Sequence, residues 1–125
     1  MRVAMDTSAL MLPVQADVRV FDELDRLLGA YEAVVPEAVL TELESLAGRG
    51  GEPGRAARVG ADLAERLETV QTAATEADDA LVELVERDVV DAVVTNDAPL
   101  RERVLARGAQ AIHLRGDNQL TRTHP

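Results

Sequence analysis

Five acidic residues occupy positions from which they could bind a metal ion: Asp6, Glu42, Asp78, Asp79 and Asp97. Carboxylate oxygens suit hard ions such as Mg²⁺ or Mn²⁺. Two such ions about 4 Å apart activate a water molecule and stabilise the leaving oxygen of a phosphodiester. The sequence therefore predicts an oxygen-ligand metal site, provided that the fold brings these carboxylates together.

Asp6 and Asp97 share a position at the end of a short apolar run. Asp6 follows "VAM", and Asp97 follows "AVVTN". Both runs are typical of buried parallel strands, whose carboxyl ends meet at one sheet edge, where ligands of such folds bind. The alternative for each residue taken alone is a helix cap or a turn, to which aspartate is well suited.

Helical phase distinguishes the remaining acids from their neighbours. At about 100° per residue, Glu42 lies on the border of the apolar stripe of its helix. A carboxylate there needs a metal ion or an arginine to compensate the cost of burying its charge. In the next acidic helix Asp78 falls on the inward side and Asp79 on the polar face, so phase favours Asp78. Both can instead be first-turn acids that the helix dipole stabilises.

The composition excludes several other chemistries. The chain has no cysteine, hence no disulfide, thiolate metal site or cysteine nucleophile. All 13 basic residues are arginine, and without lysine there is no P-loop. Aromatic residues make up only 2% of the chain, too few for an aromatic base-stacking platform. We interpret His113 as structural, and Ser8 has no nearby His or Lys to activate it as a nucleophile.

The net charge of −10 bears on environment and partners. An acid-rich, lysine-free composition resembles that of proteins from salt-loving archaea, and an acidic protein from a GC-rich genome is the alternative. In molar salt the Debye length is about 3 Å, which weakens the repulsion of RNA by an acidic protein. No stretch approaches the length of about 18 apolar residues that a membrane span needs. We expect a cytoplasmic protein with no membrane partner.

Apolar periodicity predicts strands that alternate with helices. The expected strands cover about 2–5, 31–35, 68–72, 92–95 and 110–114, and the expected helices about 18–28, 36–48, 54–67, 76–88 and 98–108. Asp17 is expected to cap the first helix, and the glycine-rich segment 48–54 to be a mobile connector. This alternation is typical of an α/β protein with a parallel sheet covered on both faces.

The length of 125 residues is that of one domain. We expect this domain to span residues 1–115 and to be followed by an irregular tail, residues 116–125.

Four motifs resemble those of PIN-domain nucleases, and together they cover nearly the full chain. They are "MDTSAL", "VVPEAVLTELESLA", "ADDALVEL" and "VVTNDAPLRERV". Each motif is weak alone, whereas their order and spacing are specific. The resemblance implies a three-layer α/β/α sandwich with a central parallel sheet, and a divalent-metal-dependent endoribonuclease that uses Mg²⁺ or Mn²⁺.

The resemblance also implies roles for individual residues. The implied metal ligands are Asp6, Glu42, Asp97 and one of Asp78 and Asp79, and the implied hydrogen-bonding supports are Thr7, Ser8 and Asn96. The spacing from Asp79 to Asp97 resembles that of toxin-type PIN proteins, whereas helical phase and the double aspartate favour Asp78.

Two subfamilies imply different partners. The chain resembles archaeal relatives of the small-subunit processome PIN nuclease, which implies precursor ribosomal RNA as substrate and a ribosome-assembly partner. The second interpretation is a VapC-type toxin, which cleaves tRNA or rRNA and pairs with an antitoxin. A non-catalytic PIN fold that binds RNA or serves in assembly is a third, and the presence of every acid argues against it. Small PIN domains commonly pair, so a homodimer is compatible with each interpretation.

Arginine must supply every cation that contacts RNA. The candidates are Arg55 and Arg58 beside the glycine-rich segment, and Arg101, Arg103 and Arg107 on the helix after Asp97. The alternative is a solvated helix surface with ion pairs.

Overall fold

The strands of the computed structural model, which describes residues 1–125, form one six-stranded sheet. They are β1 (Arg2–Met5), β2 (Glu32–Pro36), β3 (Glu68–Val70), β4 (Ala92–Val94), β5 (Gln110–Arg115) and β6 (Gln119–Thr123). Their order across the sheet is β3-β2-β1-β4-β5-β6. Strands β1 to β5 run parallel, and β6 pairs antiparallel with β5. The expected parallel sheet is confirmed, with one antiparallel strand added at its edge.

Six helices cover the two faces of this sheet. They are α1 (Thr7–Gln15), α2 (Val20–Leu28), α3 (Glu37–Ala47), α4 (Gly51–Ala64), α5 (Ala77–Glu86) and α6 (Ala98–Ala106). Helix α1 contacts α2, α3 and α4, while α5 contacts α6. Because parallel crossovers are right-handed, α1 to α4 lie on one face and α5 and α6 on the other. The three-layer α/β/α sandwich is confirmed. No helix has the length and hydrophobicity that a membrane crossing requires.

The central strands form where the sequence is continuously apolar. Residues Val3 to Met5 of β1 and Ala92 to Val94 of β4 are fully buried. A strand with helices on both faces must be apolar on both sides, so its sequence does not alternate. The core around these strands consists mainly of Val, Leu and Ala. Because residues 3–5 and 92–94 are all apolar, the polar side chains that directly follow them are informative.

Helix α1 was not expected from the sequence. Asp6 caps it, since its side chain accepts a hydrogen bond from the Thr7 amide. The helix docks through residues 9–12, which are all buried. Pro13 lies inside α1, where it has no amide to donate to the Ala9 carbonyl, and the helix ends two residues later at Gln15. The expected cap by Asp17 is wrong: this residue has φ 52°, and α2 begins at Val20.

The C-terminal tail is not irregular, which corrects the expectation for residues 116–125. Gly116, with φ 65°, lies in the turn that returns the chain as β6. Leu120 is buried, and its backbone is held by two side chains of α2. Its amide donates to Glu23 at 2.9 Å, and its carbonyl accepts from Arg26 at 2.8 Å. These contacts depend on the approach of α2, which the local sequence of the tail does not encode.

The glycine-rich segment is a packed turn between α3 and α4. Helix α4 already begins at Gly51, three residues earlier than expected. A Cβ atom at Gly54 would lie 1.9 Å from the carbonyl oxygen of Arg49. No side chain fits at that distance, so the turn requires glycine there. Residues 51–54 of the expected connector therefore belong to α4, and Gly54 is in close contact with the turn before it.

Gly60→Ala is expected to destabilise the fold. A Cβ atom at Gly60 would lie 2.9 Å from the carbonyl oxygen of Leu10 and 3.2 Å from the Leu43 side chain. Helices α1 and α4 must separate to admit it, at a cost of about 1–3 kcal/mol in the free energy of unfolding. Urea unfolding of the variant measures this loss. Gly50→Ala is the control, because a Cβ atom there would have nothing within 4 Å and the φ of Gly50 is −83°, which alanine adopts readily; equal stability of wild type and Gly60→Ala would contradict the close packing.

Candidate metal and nucleic-acid site

Two of the candidate acids meet at the point where the strand order reverses. Strands β1 and β4 are neighbours, but the connection after β1 runs to one side of the sheet and that after β4 to the other. Such a switch point opens a crevice at the carboxyl edge of the sheet. Asp6 follows β1 and Asp97 follows β4 by three residues. The topology therefore brings both carboxylates to the crevice.

The buried polar side chains of the molecule are concentrated at this crevice. Of the 39 buried residues, those with polar or charged side chains are Asp6, Thr7 and Thr95, which are 6%, 4% and 1% exposed. Burial of a polar group costs free energy unless hydrogen bonds compensate it. Burial of all three at one point therefore carries a cost in stability, which hydrogen bonds to their oxygen atoms can offset.

Asp6 is the centre of a hydrogen-bond network. Its Oδ1 accepts from the Thr7 amide at 2.8 Å. Its Oδ2 accepts from Ser8 Oγ at 2.8 Å and from Thr95 Oγ1 at 2.6 Å. Burial raises the pKa of Asp6 above its ordinary value, the hydrogen bonds oppose this rise, and the negative charge of Glu42 adds to it. A cation beside Asp6 would favour its charged form.

Thr95 is a site residue that the sequence interpretation missed. Its Oγ1 donates to Asp6 and accepts from the Asp97 amide at 3.0 Å, so one hydroxyl joins the two strand ends. Ser8 makes a parallel connection, since its Oγ accepts from the Asn96 amide at 2.9 Å. Asn96 thus contributes through its backbone, and its side chain is exposed. The sequence signal that could have identified Thr95 is a hydroxyl residue directly after the apolar run "AVV".

Four of the five candidate acids line one cavity of about 210 Å³. These are Asp6, Glu42, Asp78 and Asp97, and Thr7, Ser8, Ala77 and Leu100 complete the wall. Asp79 does not contribute to this wall, as helical phase predicted. Asp97 also caps α6, because its Oδ1 accepts from the Leu100 amide at 3.0 Å. The capping and site interpretations of Asp97 are therefore compatible.

Comparison with known proteins places this geometry in a family. A family model described as "PIN like domain" matches residues 3–117. The chain belongs to the PIN-like domain family. The match extends beyond the crevice to every element of the parallel sheet, and the predicted resemblance to PIN nucleases is confirmed.

Two solved structures resemble this PIN-like domain along its length. The PIN domain endonuclease Utp24 is 26% identical, has a TM-score of 0.78, and the alignment covers 98% of this chain and 92% of that one. A domain of a functionally unknown protein from Methanocaldococcus jannaschii is 19% identical, with a TM-score of 0.68 and 94% coverage of both chains, and shows the fold alone. No curated protein matches the sequence. The family and the likeness to Utp24 support a nuclease function.

The PIN-like crevice fits a hard divalent ion by the type of its donors. Every candidate ligand is a carboxylate, and Thr7 Oγ1 is buried there without a hydrogen-bond partner. The side chains as they stand are not gathered around one point, since no group of three or more acids or histidines is close enough to hold an ion. Glu42 is exposed, with no hydrogen bond or ion pair of its own. Ion binding would require the carboxylates to move toward one point.

The candidate RNA-contacting arginines of the PIN-like domain fall into two groups. Arg103 and Arg107 are paired with acids of α5: Arg103 reaches Asp79 at 2.9 Å, and Arg107 reaches Glu86 at 3.0 Å. For these two residues the structure shows the ion-paired helix surface that was the alternative. Arg55, Arg58 and Arg101 have no ion-pair partner, and Arg58 donates to the Ala47 carbonyl at 3.1 Å.

Arg55 lies near the level of the crevice along the axis of α4. Gly60 of α4 faces Leu10 of α1, and Leu63 shares a groove with Pro13, so the two helices run in the same direction. At about 1.5 Å per residue, the five residues from Gly60 back to Arg55 span about 7.5 Å, and the four residues from Leu10 back to Asp6 span about 6 Å. Arg55, which has no acidic partner, therefore lies at about the axial level of Asp6, outside the cavity wall.

A larger cavity of about 560 Å³ lies at the other edge of the sheet. Its wall includes Glu32 and Glu68, the first residues of β2 and β3, together with Tyr31. Burial and nearby acids raise the pKa of Tyr31 to about 12. Ligands of parallel sheets bind at the carboxyl edge of the sheet. The functional candidate is therefore the cavity of about 210 Å³ at that edge, although it is the smaller of the two.

Proposed function

We propose that this PIN-like domain is a divalent-metal-dependent endoribonuclease. The observation that carries the proposal is that four carboxylates line one cavity at the switch point of the sheet, with the buried polar side chains of the chain beside them. The donor set is that of Mg²⁺ or Mn²⁺. Family membership and the likeness to an endonuclease support the same conclusion.

Asp6, Glu42, Asp78 and Asp97 would hold one or two ions. When bound, the ions supply an activated water and stabilise the leaving oxygen of a phosphodiester. Thr95 and Ser8 fix the orientation of Asp6 through hydrogen bonds to its Oδ2. No side chain of the crevice is a base-activated nucleophile, so the attack is made by water and leaves no covalent enzyme intermediate.

Arg55, Arg58 and Arg101 are the proposed contacts to substrate phosphates. They have no acidic partners to lose when a phosphate binds, whereas Arg103 and Arg107 do. Because an overall charge of −10 repels RNA, binding depends on such a local surface, and salt screens both this repulsion and the attraction between arginine and phosphate. The substrate we propose is precursor ribosomal RNA, on the resemblance to processing nucleases; an antitoxin-paired toxin would instead act on tRNA or a fixed site in rRNA.

Calorimetry of Mn²⁺ binding in high KCl, followed by RNA cleavage on the same samples, tests the proposal. Wild type is expected to bind Mn²⁺ and to cut a circular structured RNA, which has no end for an exonuclease, while leaving a DNA of the same sequence intact. Asp6→Asn is expected to lose both Mn²⁺ binding and RNA cleavage. Asp62→Asn is the matched control, since Asp62 is exposed on α4 away from the cavity.

Each outcome has a definite meaning. Absence of Mn²⁺ binding by wild type, or cleavage by Asp6→Asn at the wild-type rate, would overturn the proposed site. Cleavage of the DNA as fast as the RNA would keep a metal nuclease but reject RNA as the specific substrate.

A further inference from the structure

Arg103 contacts both aspartates at the start of α5. Its Nη2 lies 2.9 Å from Asp79 Oδ1, and its Nη1 lies 3.6 Å from Asp78 Oδ2. One guanidinium thus joins α6, which Asp97 caps, to the first turn of α5. The two contacts are unequal: the bond to Asp79 has hydrogen-bond length, and the approach to Asp78 does not.

The two aspartates also differ in what else they face. Asp78 forms part of the cavity wall, and Asp79 does not. Asp78 Oδ1 accepts from the Asp79 amide at 3.0 Å, which leaves Oδ2, the atom nearer to Arg103, as its free oxygen. The Asp78 oxygen that accepts no hydrogen bond is therefore the one that Arg103 approaches.

We propose that Arg103 is a positioning residue that competes with the divalent ion for Asp78 and is retained beside the site by Asp79. The inference rests on the proposed function, since it concerns the same carboxylates. Without an ion, the guanidinium offsets part of the negative charge of the two adjacent acids. When an ion binds, Asp78 leaves Arg103, and the stronger pair with Asp79 keeps the guanidinium anchored. This division of roles makes Asp78 the ligand and Asp79 the anchor.

Arg107 provides a matched comparison within the same pair of helices. It lies one turn after Arg103 and pairs with Glu86 at the other end of α5 at 3.0 Å. Arg103 and Arg107 are similarly exposed, with 37% and 38% of the side-chain surface accessible. Loss of either residue removes one positive charge and the contacts of that side chain with α5. Only Arg103 touches an acid of the cavity.

Mn²⁺ affinity measured by calorimetry tests the proposal, at the lowest KCl concentration at which wild type stays folded. Arg103→Gln is expected to bind Mn²⁺ about three- to tenfold more tightly, because a screened charge beside a divalent ion is removed. Arg107→Gln is expected to stay near wild type, and Arg103→Lys, which keeps the charge, to restore most of the wild-type affinity. Equal affinities of Arg103→Gln and Arg107→Gln, or weaker binding by Arg103→Gln, would overturn the proposal.

A double-mutant cycle tests the anchoring role of Asp79 by a second route. In the presence of Arg103, Asp79→Asn frees the guanidinium to pair with Asp78 and is expected to weaken Mn²⁺ binding at least about threefold. In the Arg103→Gln background the same change is expected to have a much smaller effect. A loss of the same size in both backgrounds would mean that Asp79 acts only through its own charge, which would contradict anchoring.

These results separate this inference from the proposed function. If wild type binds no Mn²⁺, the metal site itself is wrong. If wild type binds Mn²⁺ and Asp6→Asn does not, the metal site stands. If Arg103→Gln and Arg107→Gln then have the same Mn²⁺ affinity, the proposed role of Arg103 is wrong.

Discussion

Asp6→Asn is expected to stabilise the metal-free protein while it lowers RNA cleavage by more than about 100-fold. The carboxylate is almost fully buried, and burial raises its pKa because the charged form loses hydration. An amide of the same shape keeps an acceptor for the Thr7 amide, and its NH₂ group donates to the hydroxyls of Thr95 and Ser8 after they rotate. We expect a gain of about 1 kcal/mol in the free energy of unfolding, because the desolvation cost of the buried charge exceeds the loss of the carboxylate acceptor for the two hydroxyls.

The pH dependence of this gain follows from the raised pKa. Between the ordinary value of 3.8 and the raised value, folded Asp6 holds more protons than unfolded Asp6. Stability of the wild type therefore falls as the pH rises through this window, whereas Asp6→Asn has no such group to ionise. Thermal melts in EDTA from pH 4 to pH 8 are expected to show that the melting temperature of Asp6→Asn exceeds that of wild type by an amount that grows toward neutral pH. Addition of Mn²⁺ should raise the melting temperature of wild type alone; a variant less stable than wild type in EDTA would contradict this account.

Patterns within single segments were sufficient to predict the parallel sheet. Its central strands are apolar on both faces because helices cover both, and that requirement is visible in runs such as "VAM" and "AVV". Helical phase depends only on spacing along one helix. Asp78, which it favours, lines the cavity and Asp79 does not, but both side chains are more than half exposed, and Glu42 is exposed although phase put it on the border of an apolar stripe. Phase along one helix thus gives the direction of a side chain and not its burial.

Contacts between distant segments account for the errors. Strand β6 forms because Glu23 and Arg26 of α2 hold the backbone of Leu120. The role of Thr95 depends on the register that pairs Met5 with Val94 and so brings the ends of β1 and β4 together. Neither register nor helix docking can be inferred from one segment, because both are fixed by burial elsewhere in the molecule.

Thr95→Val is expected to weaken Mn²⁺ binding and RNA cleavage by about 10- to 100-fold, the usual cost of losing a hydrogen bond that orients a metal ligand. Valine has nearly the same shape as threonine, so the core around Thr95 is preserved. Two hydrogen bonds disappear: the 2.6 Å bond to Asp6 Oδ2 and the 3.0 Å bond from the Asp97 amide. The pKa of Asp6 rises further, since the Thr95 hydrogen bond opposes the effect of burial.

Thr95→Ser keeps the hydroxyl and is the control that separates orientation from packing. If the hydroxyl positions the two carboxylates, Thr95→Ser retains most of the Mn²⁺ affinity, and Thr95→Val loses it while both variants stay folded. We expect the fold of Thr95→Val to lose about 1–3 kcal/mol, because the Asp97 amide is left without its acceptor. Equal Mn²⁺ affinity in wild type and Thr95→Val would show that Asp6 and Asp97 are positioned by the strand ends alone, and the connecting hydroxyl would then serve stability only.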